Sequence, residues 1–298
     1  MTPIHHVLCP IDFSEASRAS LPYAMAVAKH FSARLTLLTV DDPLLAEVAA
    51  QASPSLDGES ERELRRFCGD LLTDSAIDAA FLVVVGKPGS EILRAARDGH
   101  ADLIVMSSQG RSGARKMFFG STTERVLRET AVPVFVTPTA APPPPHLAEA
   151  ARRVHRIIVP VDLSGASAHQ AGVAAAIATV LAVPLLLVHV LEPVFVPYNV
   201  RIAMGGVDAA RRERAGEELT KIAATLPAQT QSETIVLSGD PSEEISKLVK
   251  TRDAHLIVIG LHSAGVLGPR MGTVTYRILC LSHTPVLALP PRVTQLPA

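Results

Sequence analysis

VLCPIDFSEAS, from Val7 to Ser17, meets a second copy of itself in IIVPVDLSGAS, from Ile157 to Ser167, at an offset of 150. Identical residues fall at Pro10/Pro160, Asp12/Asp162, Ser14/Ser164, Ala16/Ala166 and Ser17/Ser167. The match runs without a gap to RLTLLTV and PLLLVHV, ending at Val40 and Val190. At an offset of 153, Ser90–Ser107 meets Glu243–Gly260, and at an offset of 152 Gly120-Ser121 meets Gly272-Thr273. So many matches in one order establish a duplication, and a repeat constrains the fold more than any single motif does.

Within the first copy, VLCPID reads as a short buried strand, and Ser14 is placed to cap a helix running to about His30. RLTLLTV is a second strand, Leu56–Thr73 a helix and AAFLVVV a third strand. Pro88–Gly99 is a helix with proline in its first turn and glycine at its end. DLIVMS is strand four, Ser121–Thr130 the last helix and PVFVT strand five. Strands alternating with helices require right-handed crossovers and a parallel sheet. The expected class is α/β, two tandem domains, each a five-stranded parallel sheet with helices on both faces in the order 3-2-1-4-5. Between the copies, PTAAPPPPHLAEAARR carries four consecutive prolines. These favour an extended polyproline spacer. The expected division is domain 1 over 1–139, a linker over 140–153 and domain 2 over 154–298. LEPVFVPYNVRIAMGG (Leu191–Gly206) reads as a variable loop over its own sheet.

The totals narrow the function classes. With 48% hydrophobic residues, only 4% aromatic and no Trp, the core must be aliphatic. That suits strands buried on both faces. A formal net charge of −1 steers the chain toward neither nucleic acid nor an anionic membrane, so neither is an expected partner. The set Cys9, Cys68 and Cys280 is odd, sparse and without a CxxC pair, which argues against disulfides and suits a reducing cytoplasm. Cys9 and Cys280 read as small buried hydrophobes. Residues Met1–His6 carry no signal peptide pattern, and Pro184 splits the most apolar run, Val180–Val190, so no membrane span is expected. His5, His6, His189, His262 and His283 have no metal-ligand spacing and read as surface or packing residues; no metal site is expected.

In an open α/β sheet a ligand sits beyond the carboxyl ends of the strands, where the strand order reverses. Asp12 lies there, and so does the loop SSQGRSGARKMFFGSTTERVL after strand four. Gly110 would let the backbone approach a ligand, and Gly120 would admit the chain tightly into the last helix. Ser121 and Thr122 then stand at that helix's N-terminus, where unbonded N–H groups favour an anion.

These residues resemble the universal stress protein family. Its nucleotide motif is Gly, two residues, Gly, nine residues, Gly and then Ser or Thr; here Ser107, Gly110, Gly120 and Ser121 keep the spacing, with serine for the first glycine. Pro10–Asp12 and DLIVM also resemble the family, over both repeats. The resemblance implies an ATP site, or one for ADP or AMP, with Mg²⁺ as an accompanying ion. Pro10, Asp12 and the backbone at Val40 would hold the adenosine, Met106 and Ser107 the wall, Gly110 the ribose or phosphates, and Gly120, Ser121 and Thr122 the phosphates. In copy two, Asp162, Val190, Gly260, Gly272 and Thr273 mark a weaker site. There Ser263 replaces a glycine, and only eight residues, Ala264–Met271, precede Gly272. Copy one also places Arg111, Arg115 and Lys116 in its loop against Arg270 alone. The resemblance further implies pairing of the two repeats through their last strands, as an intramolecular pseudo-dimer, with a homodimer as a further option.

The expected function is a cytoplasmic regulatory protein of the stress response that binds nucleotide mainly in domain 1. A scaffold of the same fold without nucleotide is the alternative. Enzyme chemistry is not expected beyond slow ATP hydrolysis: GxxxxGK[ST], GxGxxG and GxSxG are all missing, and no general base stands out.

Overall fold

The computed structural model describes residues 4–44, 47, 58–73, 75–109, 120–138, 154–194, 204–261 and 271–291. The chain divides into two compact units, Thr2–Arg153 and Val154–Ala298.

In the first unit the elements run β1 (His6–Pro10), α1 (Glu15–Phe31), β2 (Arg34–Asp41), α2 (Glu59–Leu72), β3 (Ala79–Val85), α3 (Pro88–Asp98), β4 (Leu103–Ser107), α4 (Ser121–Glu129) and β5 (Val134–Thr137). The sheet is parallel with the order β3-β2-β1-β4-β5. Its centre is aliphatic: Leu8, Leu35, Leu37, Leu38 and Ile104 are fully buried. Ser14 caps α1 by accepting the Ser17 N–H at 3.1 Å, which satisfies one of the donors a helix start leaves over. α1 lies against β1 and β4, and α2 against β2 and β3. On the other face α3 and α4 pack together.

The second unit repeats the plan with β6 (Ile157–Pro160), α5 (Ser167–Leu181), β7 (Leu185–Leu191), α6 (Met204–Ala224), β8 (Ser232–Ser238), α7 (Pro241–Thr251), β9 (Leu256–Gly260), α8 (Thr273–Leu281) and β10 (Val286–Leu289). Its order, β8-β7-β6-β9-β10, is that of the first unit. Pro184 separates α5 from β7, as its missing N–H and fixed φ require. The α/β class and the strand order read from the sequence hold in both units.

The duplication extends to backbone conformation. Left-handed residues recur in pairs: Phe13 (φ 61°) with Leu163 (60°), Ser32 (52°) with Ala182 (54°), and His100 (50°) with Asp253 (50°). The residue types differ within each pair, so the fold holds these conformations and not a particular side chain.

Two expectations change. Cys280 is half-buried, because α8 turns Thr275, Ile278 and Leu279 inward and leaves position 280 on its flank. Cys68 is fully buried in its place. The segment Leu191–Gly206 is not loop throughout, since Leu191 closes β7 and Met204–Gly206 open α6. Residues 195–203 of it, and the linker residues 139–153, lie outside the described residues. Among the described residues, no helix is long and apolar enough to cross a membrane.

Candidate nucleotide site

β1 pairs with β2 on one side and β4 on the other, so the carboxyl ends of these three parallel strands lie side by side, where a sheet of this order has its ligand crevice. Pro10 ends β1, Val40 lies near the end of β2, and Met106 and Ser107 end β4. Asp12 follows β1, half-buried. Its Oδ1 accepts both the backbone N–H of Ser14 at 3.1 Å and the Ser14 hydroxyl at 2.5 Å. The carboxylate therefore also organises the entry to α1. Phe13, between them, is held left-handed, a conformation worth about 1–2 kcal/mol of strain for a residue with a Cβ. Its ring packs edge-to-face on Phe67 at 5.5 Å, and Arg18 lies over Phe67 while donating to its carbonyl at 2.8 Å.

α4 starts beside the end of β4. Gly120 is its N-cap residue, with extended φ and ψ and no side-chain cap. The N–H groups of the first turn are thus left without a capping side chain. Ser121 is exposed and Thr122 half-buried. Two bonds fix this helix start on the sheet: the Gly120 N–H donates to Ser108 O at 3.2 Å, and the Thr123 hydroxyl donates to Ser107 O at 3.0 Å. The Ser107 hydroxyl in turn donates to Gln109 O at 2.6 Å. Met106 is buried, so it can offer the crevice little but backbone. Gly110 and the cations Arg111, Arg115 and Lys116 lie outside the described residues.

Unit two reproduces this frame. Asp162 Oδ1 accepts the Ser164 N–H and the Ser167 hydroxyl, each at 3.0 Å, but the residue is exposed. Val190 lies in β7, and Gly260 ends β9. Gly272 caps α8 with nearly the same dihedrals as Gly120, and Thr273 is the first helical residue. The tethers recur as Gly272 N–H to Leu261 O at 3.1 Å and Thr275 hydroxyl to Gly260 O at 3.0 Å. The one-residue deletion therefore falls between Leu261 and Gly272 and leaves the helix start in register. Ser263 and Arg270 lie outside the described residues.

The tethering threonines Thr123 and Thr275 escaped the reading of the sequence, although their equal spacing after Gly120 and Gly272 was available as a signal. So did a difference between the units. Where the Phe13 and Phe67 rings meet in unit one, Leu163 and Glu218 stand in unit two, aligned by the buried pairs Leu64/Cys68 and Ala215/Leu219. There a cavity of about 560 Å³ opens, lined by Leu163, His189, Leu191, Val207, Arg214 and Glu218 among others.

The universal stress protein family profile matches residues 3–138 and again 153–290. The chain belongs to the universal stress protein family. It is 28% identical over 135 residues to universal stress protein MJ0531 of Methanocaldococcus jannaschii, covering 44% of this chain and 79% of that protein. To universal stress protein MJ0577 of the same organism it is 27% identical over 150 residues, covering 44% of this chain and 92% of that one. A solved universal stress protein from Archaeoglobus fulgidus matches with a TM-score of 0.64 at 21% identity, over 96% of this chain and 98% of that chain. That likeness extends the universal stress fold over both repeats.

Proposed function

We propose that this universal stress protein binds an adenine nucleotide, ATP foremost, in its first repeat and acts as a regulator whose output depends on occupancy. The observation that carries the reading is the uncapped start of α4, tethered through Thr123 to the end of β4, the strand paired with the β1 that Asp12 follows. A helix N-terminus supplies unbonded N–H donors and the positive end of the dipole, which suits phosphate. In this reading Pro10, Asp12 and Val40 hold the adenosine, Met106 and Ser107 line the wall, and Gly110 approaches the ribose. Gly120, Ser121 and Thr122 receive the phosphates, with Mg²⁺ neutralising them. ADP and AMP use the same adenosine contacts. Among the described residues of the site none is placed as a general base, and hydrolysis in this reading is at most slow.

The two sites are unequal in this reading. The helix starts match, so the difference lies in the loops, where copy one carries three cations and copy two carries one. Mass spectrometry of nucleotide released on denaturing the purified chain, with calorimetric titration of ATP, tests both statements. One tight site, weakened by Asp12→Ala and indifferent to Asp162→Ala, is expected. No released nucleotide and no binding would favour the scaffold reading. Two equivalent sites would refute the inequality.

A further inference from the structure

We infer that His155, Asp253 and His255 form a binding site for Zn²⁺, or a similar borderline divalent cation, at the amino-terminal edge of the second sheet. The site lies at the amino-terminal ends of the second unit's strands, away from the end that Asp162 follows, and nothing in the proposed function uses it. His155 precedes β6, while Asp253 and His255 belong to the turn between α7 and β9. The His255 N–H donates to Arg156 O at 3.1 Å and so clamps the two segments side by side.

The donor set suits the ion. Two imidazole nitrogens and a carboxylate oxygen, with a fourth position left to water, is a familiar zinc arrangement, and neutral imidazole with carboxylate matches a borderline cation. The geometry is close to what one ion needs. At bond lengths of about 2.0–2.1 Å, neighbouring tetrahedral ligands stand roughly 3.3–3.4 Å apart. Here His155 Nδ1 is 3.8 Å from Asp253 Oδ2, and His255 Nε2 is 3.5 Å from Asp253 Oδ1. One ligand atom from each residue can be chosen so that all lie within 4.8 Å of one another. Closing the remaining distance takes only side-chain rotation, since the His155 and Asp253 side chains are 65% and 82% exposed.

His255 supplies the rigid corner. Its Nδ1 is buried with no hydrogen-bond partner among the described residues, which leaves Nε2, on the Asp253 side, as the atom for a ligand. With no acceptor behind the ring to fix its tautomer, affinity should fall about 10- to 100-fold below that of a fully buttressed site. The neighbouring Arg252 is paired with Glu233 at 2.9 Å, which offsets its positive charge beside the site.

The first repeat is an internal control. His5, His100 and Asp102 occupy the corresponding positions, the same three residue types in a different permutation. There the Asp102 carboxylate is spent on backbone, accepting the N–H of His5 at 2.7 Å and of His6 at 3.0 Å. Among the described residues, the second-repeat trio is the one group of three such ligands brought together.

Calorimetric titration of the untagged full chain with ZnCl₂, and absorption titration with CoCl₂, test the inference. One Zn²⁺ per chain is expected, with cobalt d–d bands in the visible. His155→Ala, Asp253→Asn and His255→Ala should each lower affinity at least tenfold, and His5→Ala should leave it unchanged. His155 is so exposed that its alanine variant keeps the fold intact. No saturable binding, or a site that persists undiminished in His155→Ala, would overturn the assignment. ATP titration is independent of this result, so either proposal can fail alone.

Discussion

Thr123 donates its hydroxyl to the carbonyl oxygen of Ser107 across 3.0 Å, pinning the first turn of α4 to the end of β4. Thr123 is buried, so Thr123→Val keeps the shape but leaves that carbonyl without its partner. A loss of about 1–3 kcal/mol in unfolding free energy is expected by urea titration. ATP affinity should fall with it, because the helix start is no longer fixed against the strand ends. Thr275→Val should match the stability loss and leave ATP affinity alone. Equal effects of both variants on ATP would refute the assignment of the tight site to the first repeat.

Ser14 and Asp12 act as a unit. Ser14→Ala removes the cap of α1 and a hydroxyl donor to Asp12, and should cost about 0.5–2 kcal/mol of stability. Ser14→Thr should restore most of it. Asp12→Ala should weaken ATP roughly 10- to 150-fold, the equivalent of a charge-assisted hydrogen bond of about 1.5–3 kcal/mol. Calorimetry that found Asp12→Ala binding ATP like wild type would leave Asp12 a purely structural carboxylate.

Asp240 caps α7, accepting the N–H groups of Ser242 and Glu243, and its second oxygen takes Arg277 at 2.6 Å. The Ser242 hydroxyl and these partners hold its pKa down at about 2. The folded state thus binds this proton less readily than the unfolded chain, where an aspartate titrates near about 3.9. Stability from Asp240 is therefore complete above about pH 4 and is lost as pH falls toward 2. Thermal melts between pH 5 and pH 2 should show a smaller acid loss in Asp240→Asn than in wild type (an expectation that equal slopes would contradict).

Burial raises the thiol pKa of Cys68 to about 12 and that of Cys9 further still. The thiolate is the reactive species, so neither should react in the folded protein. Half-buried Cys280 should be modified first by a thiol reagent, and the other two only on unfolding. Rapid modification of all three in native buffer would show that unit one opens locally.

Much of this protein was written in the sequence because its signals are local and repeated. Aliphatic runs such as Leu103–Met106, bounded by Pro88, Gly99 and Pro133, leave few options but buried parallel strands, and the repeat offsets transferred each element from one unit to the other. The same offsets marked Asp12, Gly120 and their counterparts. What the sequence left open are relations between residues distant along the chain. Equal spacing pairs Thr123 with Thr275, but only the fold shows that Thr123 reaches back to Ser107, that Phe13 meets Phe67 while Leu163 and Glu218 line a cavity, and that His155 stands beside His255. Such pairings form only when the sheet brings strand ends together in register. Their distances follow from packing many side chains at once, which spacing along one chain does not encode. Composition and periodicity therefore determined the two α/β units, and tertiary packing alone decided which hydroxyl, ring or imidazole meets which partner.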